Sequence, residues 1–166
     1  MKPPQIPLQK ILALAPPCLR MTVPDCYRDD NGHMNVRWYV GIFDDASDVL
    51  HSGLGLTPEY HRQHGTGTFD LEHHVQYLRE VMPGEQVTVY VRYVAQSEKR
   101  LHYVMFLVNE TRGQLAAMLE CLNAFADLTV RRTAPWPAKA ATKIAAEVER
   151  SNCLDWPAPL SGAIQS

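Results

Sequence analysis

The seven residues Asp29-Asp30-Asn31-Gly32-His33-Met34-Asn35 put two carboxylates, an imidazole and two carboxamides directly before a helical pattern that begins at Val36. Asp, Asn and Gly are the residues of tight turns, because their short side chains hydrogen-bond nearby backbone and glycine accepts positive φ. The first amide N–H groups of a helix have no partner inside it. A turn at that place therefore delivers a base and backbone donors to one point, the two things an attack on a carbonyl group needs. The stretch reads as an active-site loop. An isolated Asp-Asp-Asn-Gly reads as a solvated turn or a helix cap, so its neighbours matter.

Asp29-x-x-Gly32-His33-x-Asn35, with Tyr39 four residues on and a long helix behind it, resembles the signature of hotdog-fold acyl-CoA thioesterases of the 4-hydroxybenzoyl-CoA thioesterase type. The spacing of later strands, with Pro83-Gly84-Glu85 between two of them, follows the same family from about Leu19 to Pro137. Asp29-x-Asn31-x-His33 is also similar to the Asp-x-Asn-x-His run of plant acyl-carrier-protein thioesterases. The run from Phe125 to Pro137 resembles a branch that includes the betainyl-CoA enzymes of carnitine breakdown, with Phe125-Ala126-Asp127 where that branch has His-Val-Asp. The resemblance implies a hotdog fold, a long central helix wrapped by an antiparallel sheet, and hydrolysis of an acyl-CoA thioester. It implies no metal or redox cofactor. It also implies a homodimer or a dimer of dimers, with the pocket at the interface.

Under that resemblance Asp29 is the catalytic carboxylate, either attacking the thioester to give a mixed anhydride or drawing a proton from water. It fits better than Asp30 because it stands three residues before Gly32. The oxyanion falls to a backbone N–H at the helix start, which residue-for-residue matching places near Val36. His33 either orients the thioester or braces the loop, and Asn35 either holds Asp29 and water or caps the helix. Asn31 and Gly32 belong to the substrate side of the loop, where turn chemistry alone also explains them. Trp38 and Tyr39 are either core aromatics or walls of the acyl site; a quaternary ammonium acyl group would want such rings, at about 0.5–2 kcal/mol per cation–π contact. His73 and His74, beside Glu72 in the first strand after the helix, either face the pocket of an adjoining subunit or are sheet-edge residues. Asp44, Asp45 and Asp48 lie opposite the apolar stripe of the helix and either line a channel or face solvent. Lys99, Arg100, Arg131 and Arg132 are candidates for coenzyme A phosphates.

These residues need elements to position them. Residues 1–17 hold five of the 12 prolines and are expected to form an extended arm. In all, 1–18 is expected to be an N-terminal arm, 19–138 the hotdog domain and 139–166 a C-terminal helix and tail. Leu19 to Tyr27 reads as a strand. Val36, Tyr39, Val40, Phe43, Ala46, Val49 and Leu50 recur at helical spacing and predict a core-facing stripe, ended by Gly53 and Gly55. Thr57-Pro58-Glu59 predicts a capped short helix running to about His64. Strands are expected over 68–79, 85–94, 100–109 and 114–129. In the second of these, Val87, Val89, Val91 and Tyr93 alternate with Thr88, Tyr90 and Arg92, so one face should be buried and the other wet. Residues 131–137 should leave the sheet, 139–150 form a helix, and 151–166 a loosely held tail. One helix followed by four successive strands is an α+β layout.

A chain of 166 residues supports one core, and 46% hydrophobic with 20% charged residues is ordinary for a globular protein. A net charge of -2 gives no field to gather nucleic acid or an anionic membrane. Cys18, Cys26, Cys121 and Cys153 show no C-x-x-C pair and no zinc-like spacing, so neither a disulfide framework nor a metal site is indicated. Lys2 and Lys10 before Ile11-Leu12-Ala13-Leu14-Ala15 imitate a secretory leader, but the apolar run is short and Pro16-Pro17 follows. A cytoplasmic protein is expected. Two rival readings stand beside the thioesterase: a hydratase or dehydratase on the same fold, which would use a His with a separate acid, and a noncatalytic acyl-CoA binding protein.

Overall fold

The chain runs α1 (Leu8–Leu12), β1 (Leu19–Thr22), α2 (Val36–Gly53), α3 (Pro58–His64), β2 (Thr66–Tyr77), β3 (Gln86–Gln96), β4 (Arg100–Asn109), β5 (Gln114–Asp127), β6 (Arg132–Thr133) and α4 (Ala138–Asn152). These are the elements of the computed structural model, which describes residues 6–14 and 16–164. The sheet has strand order β1-β3-β4-β5-β2, with β6 paired to β5. One long helix with an antiparallel sheet in this strand order is the hotdog fold. Two compact units divide the chain: residues up to Val49 with Val75–Val91 and Met105–Leu119, and Leu50–His74 with Arg92–Val104 and the residues from Glu120 onward. No described helix is long and apolar enough to cross a membrane.

In the first unit β1 pairs antiparallel with β3, Leu19 opposite Val89 and Thr22 opposite Gln86. The strand expected to reach Tyr27 stops at Thr22. Pro24 has no N–H to give a ladder, and a 3-10 turn over Asp25–Tyr27 follows it. The Val23 N–H still reaches the Glu85 carbonyl at 2.9 Å, and the Gly84 N–H returns to the Val23 carbonyl at 2.8 Å. Gly84 sits at φ +86, where a side chain is strained, which is why the Pro83-Gly84 turn needs glycine. Behind it, the Glu85 carboxylate accepts from the Met82 N–H at 2.8 Å and the Asn109 amide at 2.7 Å, and pairs with Arg112. Burial acts to raise the Glu85 pKa, but these donors outweigh it and hold the carboxyl below its ordinary value.

The stripe of α2 buries Tyr39, Ile42, Phe43 and Ala46, as its spacing requires. Val36 and Val49, expected on the same stripe, are instead 55% and 47% exposed. Each lies only about 20° round from a fully buried residue seven positions away, Phe43 and Ile42, so angle alone does not expose them; Val36 is open because it is the first residue of the helix and lines a cavity. Asp44, Asp45 and Asp48 are all exposed. The expected extended arm is not extended where it is described; residues 1–5 and 15 of it lie outside the described residues. Leu8–Leu12 make a helical turn that buries Ile11, and the Leu14 N–H, donating to the Ile11 carbonyl at 3.0 Å, carries the turn on so that Leu14 is buried as well.

In the second unit the Thr57 hydroxyl accepts from the Tyr60 N–H at 3.1 Å, Pro58 occupies the first helical turn, and Gly65 closes α3 at φ +62. Strand β5 ends two residues short of expectation because the Asp127 carboxylate accepts from the Thr129 N–H at 2.7 Å and turns the chain. Residues expected to leave the sheet come back to it: Arg131 adopts φ +52, and Thr133 pairs with Ala126.

Two expectations fail together around Arg92. Strand β3 should have one wet face, yet Thr88, Tyr90 and Arg92 are as buried as their neighbours. The C-terminal stretch should be loose, yet it covers Arg92, whose guanidinium donates to the Trp156 carbonyl at 2.7 Å and the Ser151 carbonyl at 3.3 Å. The same group lies 4.2 Å from the centroid of the Trp156 ring. Further along, the Ser161 N–H donates to Glu120 at 2.7 Å, and Glu120 meets His102 at 2.9 Å. Trp156 and Ile164 supply the apolar anchors for this stretch. Trp156→Ala should accordingly cost about 3–5 kcal/mol, the usual price of emptying a buried aromatic position. Urea denaturation checks it, and a midpoint like the parent's would mean that the tail is loose after all.

Candidate active site

The loop before α2 is a folded turn whose backbone bonds are made by its own residues. The Asp29 N–H donates to the His33 carbonyl and the Gly32 N–H to the Asp29 carbonyl, both at 2.9 Å. The Asn31 N–H donates to Asp29 Oδ1 at 2.8 Å. Gly32 stands at φ +88, which L side chains rarely adopt. Arg28 donates to the Gly32 carbonyl at 3.0 Å and pairs with Asp25 at 2.6 Å. Both ends of the loop are pinned. The Met34 N–H reaches the Val81 carbonyl at 2.7 Å and the Asn35 N–H the Tyr27 carbonyl at 2.9 Å, with the Met34 side chain buried beneath.

Asn35 caps the helix, its Oδ1 accepting from the Arg37 N–H at 3.1 Å while its carbonyl takes the Trp38 N–H at 3.0 Å. That leaves the amide between them. Among the described residues the Val36 N–H has no acceptor, and Val36 lines a cavity of about 400 Å³. Asp29, His33 and Asn35 line the same cavity, the Asp29 side chain only 15% exposed and its Oδ2 3.4 Å from His33 Nδ1. Four of the residues singled out by spacing thus share one concave surface with an open donor.

Tyr39 joins them and the other singled-out residues do not. Its hydroxyl donates to the Arg79 carbonyl at 3.4 Å, and its ring meets Tyr77 edge-on at 5.2 Å. Burial pushes its phenol pKa up. Trp38 stacks on Tyr27 at 3.9 Å with the Arg37 guanidinium 4.7 Å from its ring, so it braces the loop from outside the cavity. Asn31 and Gly32 build the turn and are not among the lining residues. His73 and His74 lie on the part of β2 that belongs to the second unit, where His73 Nε2 is 2.8 Å from Asp70. Arg131, in the turn after β5, and Arg132, which opens β6, are exposed, while Lys99 precedes β4 and Arg100 opens it. Tyr77, Leu78, Arg79 and Glu80 complete the wall, none of them foreseen. They sit some forty positions from the loop, and nothing in local spacing marks them.

Nothing lies within 4 Å of a Cβ added to Gly32, so Gly32→Ala carries a backbone penalty alone. That is about 1–2 kcal/mol for a left-handed position. The strained turn should also shift the Asp29 carboxylate, so turnover should fall more than stability does, read by kcat beside a thermal melt.

The fold and the helix-start cavity belong to the hotdog class, and comparison with known proteins narrows that class. The family model described as the thioesterase-like superfamily matches residues 25–144. Betainyl-CoA thioesterase of Pseudomonas aeruginosa is 30% identical over 129 residues, 78% of this chain and 81% of that protein. The L-carnitine dehydrogenase/betainyl-CoA thioesterase of Agrobacterium fabrum is 33% identical over 109 residues, 66% of this chain but 22% of that longer protein. A Staphylococcus aureus protein solved in complex with CoA superposes with a TM-score of 0.80 at 28% identity, covering 89% of this chain and 93% of that one. The chain belongs to the thioesterase-like superfamily.

Proposed function

We propose that this thioesterase hydrolyses an acyl-CoA thioester, with Asp29 as the attacking or proton-abstracting carboxylate and the Val36 N–H as the oxyanion donor. One observation carries the reading: a largely enclosed carboxylate and a helix-start amide with no acceptor among the described residues line the same cavity. The carbonyl oxygen takes the Val36 N–H, Asp29 acts on the carbonyl carbon directly or through water, and the C–S bond breaks to release CoA as the thiol. His33, in reach of Asp29, holds the carboxylate's orientation. The CoA-bound relative supports a CoA ester over other thioesters.

Within that class the cavity wall favours a small acyl group bearing positive charge. The Tyr39 and Tyr77 rings offer cation–π faces, and two carboxylates, Asp29 and Glu80, line the space against the one guanidinium of Arg79. This agrees with the betainyl-CoA activity in the names of the curated relatives. We also propose a homodimer or dimer of dimers, because β2 ends the strand order and exposes Phe69, Leu71 and Tyr77 at 47%, 47% and 49%. Cytoplasmic residence fits four cysteines that are all free thiols.

The test is a panel of betainyl-CoA, aromatic and fatty acyl-CoA esters, with acyl-carrier thioesters beside them, read with a thiol reagent. Preferred turnover of betainyl-CoA supports the full reading, and preference for an uncharged ester refutes the charged-acyl part. Binding of a nonhydrolysable analogue without turnover of any ester would make the protein a noncatalytic binder, and hydration of an enoyl ester would make it a hydratase. Light scattering decides the oligomer.

A further inference from the structure

Away from the loop, the neighbouring strands β2 and β5 bring three different metal-ligating groups together. Asp70 and His73 come from β2 and Cys121 from β5, and their donor atoms all lie within 4.8 Å of one another. His73 Nε2 is 2.8 Å from Asp70 Oδ2, while the Cys121 thiol donates to Asp70 Oδ1 at 3.2 Å and the Asn123 amide to the same oxygen at 2.7 Å. The floor of this cluster is closed and its top is open: Cys121 and Asn123 are buried, whereas the Asp70 and His73 side chains keep 24% and 30% of their exposure. An ion could therefore enter from solvent and meet buried ligands beneath.

One further observation points to a ligand. Among the described residues the buried Asn123 Oδ1 has no hydrogen-bond partner, although the NH2 of the same carboxamide touches Asp70. Turning that amide over would aim an oxygen at the cluster, an arrangement that repels a bare carboxylate and suits one shared with a cation. Burial and the neighbouring Asp70 carboxylate push the Cys121 thiol up, so it keeps its proton until an ion displaces it. Asp70 Oδ1 accepts from Cys121 and Asn123 while Oδ2 meets His73, so the carboxylate is aimed at the shared point.

From this geometry we infer that Asp70, His73 and Cys121 form a binding site for a divalent transition ion of the zinc class. A thiolate, an imidazole and a carboxylate are a donor set that zinc takes, leaving a fourth position for water. The two negative charges balance the ion's two positive ones. Binding breaks the Cys121 S–H bond and releases that proton to solvent. Neutral His73 gives its Nε2 lone pair and keeps its proton on Nδ1, so one proton leaves per ion. The bound ion clips edge strand β2 to β5. Cysteine and histidine spacing indicates no metal, because Asp70 and Cys121 stand 51 residues apart and only strand pairing makes them neighbours.

The experiment is a titration of the purified, metal-stripped full-length protein with Co2+ in a thiol-free reductant. One Co2+ per chain, a thiolate-to-cobalt charge-transfer band, and displacement of that band by Zn2+ are expected. Cys121→Ser should abolish the band. His73→Gln, at a partly exposed position, should weaken Co2+ binding by more than about tenfold, since losing even an outer partner of a metal site costs 10–100-fold. Absence of the band in the parent protein overturns the inference, as does a band that survives Cys121→Ser or an affinity that His73→Gln leaves unchanged. If Cys121→Ser fails to fold, the parent's band and the His73→Gln affinity decide.

Discussion

Asp29→Asn is expected to lower kcat by about 10²–10⁴-fold, the range a positioned acid–base group commonly contributes. The substitution keeps an Oδ1 that accepts from the Asn31 N–H, so the turn survives and the loss is chemical. Stability should stay within about 0.5 kcal/mol of the parent, as for substitutions that remove no packing. KM should change little, because the carboxylate acts on the carbonyl carbon and leaves the CoA moiety alone. Steady-state kinetics on the preferred ester, with a melt alongside, are the measurement. Activity within a few-fold of the parent would remove Asp29 from the mechanism. A single turnover in heavy-oxygen water separates the routes in one direction: an Asp29 oxygen in the first product molecule can come only from a mixed anhydride opened by water at the aspartyl carbon, whereas general-base attack always puts water's oxygen there.

The second large effect concerns the amide. Val36→Pro should cut kcat by about 10²–10³-fold, or about 2.7–4 kcal/mol, the worth of one oxyanion donor. Proline is an unusually clean probe at this place. Val36 is the first residue of α2, where proline's fixed φ suits the helix and no intrahelical bond is lost. Its side chain is 55% exposed, so little packing changes. Asn35 before it is a helix cap, a role compatible with the extended backbone that a following proline favours. The variant should therefore fold as the parent does and lose only the N–H. Thermal melts and kcat together decide: an intact fold with parental turnover would place the oxyanion elsewhere. The helix dipole alone offers about 0.3–1 kcal/mol at an exposed terminus, too little to produce the loss expected here.

The residues that could do chemistry were legible because their signals are local. Asp29, Gly32 and Asn35 announce a turn and a cap by residue type, and the stripe of α2 announces a helix by period; both kinds of information lie within a few positions. The Thr57 cap, the glycine at 65 and the full span of β4 were readable for the same reason. Local signals also misled where tertiary cover intervened. The alternation in β3 is a true strand pattern, yet Arg92 is buried because a chain segment some sixty positions away supplies its carbonyl partners and its aromatic lid.

The sequence by itself determined the turn, the helix that follows it and the family they mark, since turn chemistry and hydrophobic period are properties of neighbouring residues. Only the tertiary structure decided that Tyr77, Arg79 and Glu80 complete the cavity and that Asp70 and Cys121 meet across two strands. Strand pairing sets those distances, and its register is settled by core burial over the whole sheet, which no short window of residues records.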